Sequence, residues 1–158
     1  MMSFSYDLVW GVGVWRFQGS VNSDADYERY ISSLHELDVR MRGRESTAIV
    51  VVDRDNPTPN AAWRKRMAEA TRTVQSTPLL VFVSESRVAR AVVTAINWIR
   101  PPPYEISIHA SFEEAVVWLA GRRPGIARKV YDDLMDEASR ARPQSATKAA
   151  SLGRVVDR

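Results

Sequence analysis

The chain reads as an α/β protein on a mostly parallel or mixed sheet of four or five strands. Three observations carry that reading. The runs TAIVVVD (47–53) and PLLVFV (78–83) are short, β-branched and apolar without alternation, as expected of strands covered on both faces. Stretches with helical periodicity and capping residues stand between such runs. Strand and helix therefore alternate as β(β)-α-β-α-β-α-β-α, which calls for right-handed crossovers.

At the N-terminal end, Phe4, Tyr6, Leu8 and Trp10 alternate with Ser5, Asp7 and Val9, which is strand periodicity. Gly11 and Gly13 mark a bulge, a bend or a change of strand, and the segment closes near Gln18-Gly19. The first helix follows, with Ser23 as its cap and Asp24 and Asp26 in its first turn, where negative charge favours the helix dipole. Tyr27, Tyr30, Ile31, Leu34, Leu37 and Met41 form its apolar face, and Gly43 suits its stop.

After the run at 47–53, Asn60 is placed to cap a helix over 61–74 whose stripe is Trp63, Met67, Ala70 and Val74. Ser84 or Ser86 can cap the next helix, with Val88, Val92, Ala95, Ile96 and Ile99 as its inner face; Arg100 and three prolines end it. YEISIH (104–109) reads as a strand. SFEEAVVWLAG (111–121) carries a capping box, Ser111 with Glu114 three residues on.

The alternating pattern is complete by Gly121, so residues 1–121 are expected to form the domain. Residues 122–142 hold a further amphipathic helix, in which Ile126, Val130, Leu134 and Ala138 recur every four residues beside Tyr131 and Met135. Pro124 and Gly125 make a sharp change of direction before it. Residues 143–158 are small, polar and aperiodic, the composition of a disordered tail.

Composition narrows the chemistry. The 158 residues suit one domain and include no cysteine, which excludes disulfides, thiolate catalysis and cysteine-ligated metals and fits a reducing, cytoplasmic setting. No apolar run approaches the roughly 20 residues of a membrane span, and no secretory leader is read. The pI near 9.5 is misleading. Residues 1–121 carry thirteen basic against fourteen acidic side chains, whereas residues 122–158 carry nine against five. The basic excess lies in the tail, no recognition motif accompanies it, and no nucleic-acid partner is expected.

The order of elements, with FQGSVNSDADYERY, LLVFVSESRVARAVVTAINWI and SFEEAVVWL as its carriers, resembles the STAS domain superfamily, and more closely its SpoIIAA-like (STAS/SEC14-like) bacterial members. The resemblance spans most of residues 8–120. It implies a small sheet with about four helices packed mainly on one face, and a non-enzymatic protein–protein regulatory role of the anti-sigma-factor-antagonist type, with no cofactor. In that family a serine at the start of the second helix is phosphorylated. Here the region VVVDRDNPTPNAAW has no serine, and Thr58 is the only hydroxyl that can serve as phosphoacceptor.

The candidate partner surface comprises Asp53 and Asp55 at the end of the buried run at 47–53, Trp63 and Arg64 at the start of the second helix, and Ser84, Ser86 and Arg87 at the next strand-to-helix junction. Aromatic and arginine residues together suit an interface, while capping alone accounts for the serines. The C-terminal helix, through Ile126, Val130, Tyr131, Leu134 and Met135, is expected to dock on a protein partner or a second copy. The alternative function is a small-ligand or lipid-binding module of SEC14-like character. That module calls for a deep apolar pocket with few convergent polar groups, and an interaction domain for a flat aromatic or basic patch. His35 and His109 lie far apart with no zinc motif, no Gly-x-Ser-x-Gly elbow occurs, and the GVG at 11–13 is not a dinucleotide fingerprint.

Overall fold

The computed structural model describes residues 1–74, 76–99 and 101–140, without the side chains of Thr77, Ile96 and Ile99. The expected tail at 143–158, the last two residues of the expected C-terminal helix, Arg100 and the inward placing of Ile96 and Ile99 lie outside what is described.

The chain runs β1 (Met2–Asp7), β2 (Val12–Phe17), α1 (Asp24–Arg40), β3 (Glu45–Val52), α2 (Ala61–Arg72), β4 (Thr77–Ser84), α3 (Arg87–Ile99), β5 (Glu105–His109), α4 (Phe112–Arg122) and α5 (Arg128–Arg140). This is an α/β fold on one mixed five-stranded sheet in the order β1-β2-β3-β4-β5. β1 pairs antiparallel with β2, and the later neighbours are parallel. The change of strand falls at Gly11, whose φ of 64° closes the hairpin; a Cβ there would sit 2.8 Å from the Glu45 carbonyl. The caps are those the sequence offers. Ser23 and Asp26 form a capping box on α1, Asn60 accepts from the Trp63 amide, and Ser111 accepts from the Glu114 amide.

Strand order explains where the helices go. From β2 to β5 each strand lies one step further across the sheet, so successive right-handed crossovers fall on the same face. α1, α2 and α3 therefore lie on one side. There Trp15, Phe17, Ala48 and Val50 meet Tyr27, Tyr30, Leu34, Leu37 and Trp63. After β5 no further strand has to be reached, and α4 and α5 return across the opposite face. On that side Val12, Val14, Ile49, Val51, Val81 and Val83 pack under Ala115, Val116 and Leu119 of α4 and under Tyr131, Leu134 and Ala138 of α5.

The position of α5 corrects the expectation of a separate docking helix. Ile126, Tyr131 and Leu134 are buried against the chain's own sheet, and Val130 and Met135 pack at the margin of the same cluster. The helix lies on β1 and β2, where Ser3 Oγ donates to the Ala138 carbonyl and Ser5 Oγ to the Leu134 carbonyl, both at 2.6 Å. Arg16 of β2 donates to Ser139 Oγ at 2.6 Å and to Asp53 at 3.1 Å, joining α5 to the end of β3. The domain therefore does not end at Gly121. Its second core needs α5, because four helices leave the β1–β2 end of that face uncovered.

α3 also sits differently from its expected register. Val92 faces inward as expected, but Val88 and Ala95 are exposed, and Ala89 and Val93 turn inward instead. The exposed flank ends at Trp98, which keeps 83% of its surface in solvent.

Candidate functional site: a cavity between two helices and the sheet

The side chains that wall the main cavity are ordinary strand and helix residues. β3 turns Val50 and Val52, β4 turns Leu80 and Phe82, and β5 turns Ile106 toward the face that carries α1–α3. Alternation along each strand puts them there. α2 does not lie flat on them. Its first turn is held against α1, since Trp63 Nε1 donates to Asp24 Oδ1 at 2.7 Å and its ring lies 5.2 Å from that of Tyr27. Arg66 stacks over Trp63 at 4.4 Å and pairs with Glu28 of α1 at 2.6 Å. Anchored at that end, α2 stands off the sheet with α3 beside it. The space left between them is a cavity of about 440 Å³, within the roughly 300–1,000 Å³ typical of small-molecule sites.

The apolar floor carries few polar groups. Tyr30 is buried and lines the cavity. Tyr104 lines the cavity together with Thr71 and Arg72 at the far end of α2. Burial pushes both phenols above their ordinary range, and each is a neutral donor at neutral pH. Arg64, Lys65 and Arg72 border the mouth against one acid, Glu69. Arg64 donates to the Pro59 carbonyl at 2.6 Å, and Lys65 lies 3.9 Å from Glu69. Arg72 bonds to no carboxylate or carbonyl among the described residues.

The residues singled out from sequence divide around this cavity. Thr58 is exposed on its rim, between Pro57 and Pro59, which also border it. Asp53 and Asp55 do not form one centre: Asp53 is half-buried and paired with Arg16, and Asp55 is exposed. Trp63 is not on a free surface, being 93% covered in the α1–α2 contact. Ser84 is buried at the end of β4, where its hydroxyl accepts from the Ser86 amide at 3.2 Å and its carbonyl from Arg90. Ser86 caps α3 by accepting from the Ala89 amide at 3.2 Å, and Arg87 is exposed beside it. These groups do not converge into a single partner surface.

Sequence reasoning missed Tyr30, Tyr104 and Arg72. Tyr30 reads as a core residue of α1 and Arg72 as a solvated end of α2. A sign was present in α2, whose inward stripe is narrow and whose small Ala68 and Thr71 line the cavity.

No protein-family model matches the chain, and neither a curated protein nor a solved structure matches it. Among the described residues no group of three metal-binding side chains occurs, and no helix is long and apolar enough to cross a membrane.

Proposed function

We propose that the protein is a binding module for a small apolar molecule, which it holds between α2, α3 and the sheet. The cavity itself carries the reading: about 440 Å³ walled mainly by aliphatic and aromatic side chains, with a small number of polar groups inside it. Of the two functions weighed on the sequence, this geometry favours the ligand-binding module of SEC14-like character over the antagonist-type interaction domain. The site works by desolvation. Each square ångström of apolar ligand surface taken from water contributes about 25 cal/mol, and the buried tyrosines orient the polar end. Placement in the cytoplasm belongs to the same proposal and rests on the absence of cysteine.

Titration with the neutral fluorophore N-phenyl-1-naphthylamine tests it. Saturable enhancement at one probe per chain is expected, and Ala68→Trp, which fills the cavity from α2, should abolish it without lowering the melting temperature. No enhancement with the wild-type chain would refute the reading.

A second reading, docking of a protein partner, has one observation of its own. Val88 and Trp98 stand exposed on the outer flank of α3 together with Ala91 and Ala95. A tryptophan left in solvent is the kind of residue that anchors an interface.

A further inference from the structure

The polar groups at the two ends of α2 are not equivalent. At the N-terminal end the cations are engaged, Arg64 with the Pro59 carbonyl and Lys65 with Glu69. At the C-terminal end stands Arg72, without a carboxylate partner among the described residues, and Tyr104 lines the cavity with it. Tyr30, a 5% exposed phenol, lines the cavity as well. A ligand acceptor at that end of the cavity can be met by the guanidinium and by the phenol hydroxyls.

We infer that the ligand is a single-chain amphiphile with an anionic head. The head sits at the C-terminal end of α2 against the Arg72 guanidinium and the Tyr30 and Tyr104 hydroxyls. The chain runs along Leu80, Phe82 and Val50 toward Pro57. This rests on the cavity being a ligand site. The C-terminal end of a helix carries about half a negative charge, which opposes an anion, but the full charge of Arg72 outweighs it. A fork of guanidinium donors also matches carboxylate and phosphate oxygens alike, so the head is defined by charge and acceptor geometry, and either group satisfies it.

Isothermal titration with decanoate, decyl phosphate, decanol and decyltrimethylammonium separates the parts. At least one of the two anions should bind about tenfold more tightly than decanol, and the cation more weakly than decanol. Arg72→Gln should bring that anion to the affinity of decanol while leaving decanol within about twofold. Lys65→Gln should leave the preference intact. Tyr30→Phe keeps the ring and should weaken the favoured anion by roughly tenfold with little change in melting. Equal binding of the anions and decanol overturns the anionic head but leaves the apolar cavity standing, as does a preference that survives Arg72→Gln and is lost in Lys65→Gln. Failure of all four to bind overturns the cavity reading with it.

Discussion

Trp63 Nε1 of α2 donates to Asp24 Oδ1 of α1 at 2.7 Å and ties to α1 the first turn of a helix whose later turns line the cavity. It fixes the first turn of α2 at the start of α1, where the Trp63 ring meets Tyr27 and Tyr27 meets Phe17. Trp63→Ala should cost about 3–5 kcal/mol and let α2 settle, with loss of probe binding. Trp63→Phe keeps most of the packing and loses the hydrogen bond. Its stability loss should stay near 1–2 kcal/mol, with binding weakened. Denaturant unfolding and probe titration of both variants check this; full binding by Trp63→Ala would show that the contact does not hold the cavity open.

α5 should prove indispensable. A chain cut after Gly121 exposes Val12, Val14, Ile49 and Val51, and it is expected to lack a cooperative thermal transition. In the full chain, Leu134→Asp should lower stability by more than about 3 kcal/mol, since it removes buried apolar area and buries a charge. Circular dichroism melting measures both. A cooperative 1–121 fragment would return α5 to the role of a separate docking element.

Tyr131 is fully buried among aliphatic side chains, and its hydroxyl finds no hydrogen-bond partner among the described residues. Tyr131→Phe should be neutral or stabilising by up to about 1 kcal/mol, because the ring stays and an unsatisfied group is removed. Urea unfolding decides it, and a loss above about 1 kcal/mol would mean that the hydroxyl is bonded.

Asp26 gives the protein an acid-side dependence. Burial pushes its carboxyl up. Hydrogen bonds from the Ser23 and Met2 amides and the Ser23 hydroxyl outweigh this, and the group titrates below the ordinary aspartate range. A depressed folded-state value means stability that is present above the unfolded value, near 3.9, and is lost as pH falls through the folded one. Asp26→Asn should cost about 1 kcal/mol at neutral pH. The difference from wild type should shrink below pH 4. A constant difference across that window would assign the cost to something other than charge.

The strands and helices were legible in the sequence because each is signalled locally. Ser23, Asn60 and Ser111 cap the helices they precede, and the unalternating runs at 47–53 and 78–83 are strands with both faces covered. The place of α5 was not legible, because Ser3 and Ser5 make one side of β1 look like a solvent face. Small hydroxyl side chains can instead let a helix approach and satisfy its carbonyls, and here they do. The cavity was hidden for another reason. Val50, Leu80, Phe82 and Ile106 are the residues of any core, and the distance of α2 from the sheet decides that a cavity remains. The contact that ties α2 to α1, Trp63 with Asp24, is long-range, and no local pattern announces it.

Methyl-resolved NMR during titration with N-phenyl-1-naphthylamine tests the ligand site most directly. The methyls of Val50, Val52, Leu80 and Val93, which face the cavity, should shift and saturate together. Those of Val81, Val83 and Leu119, on the opposite face of the same sheet, should stay in place. Shifts confined to Val88 on the outer flank of α3, or no saturable shift at the cavity methyls, would contradict a ligand site between α2, α3 and the sheet.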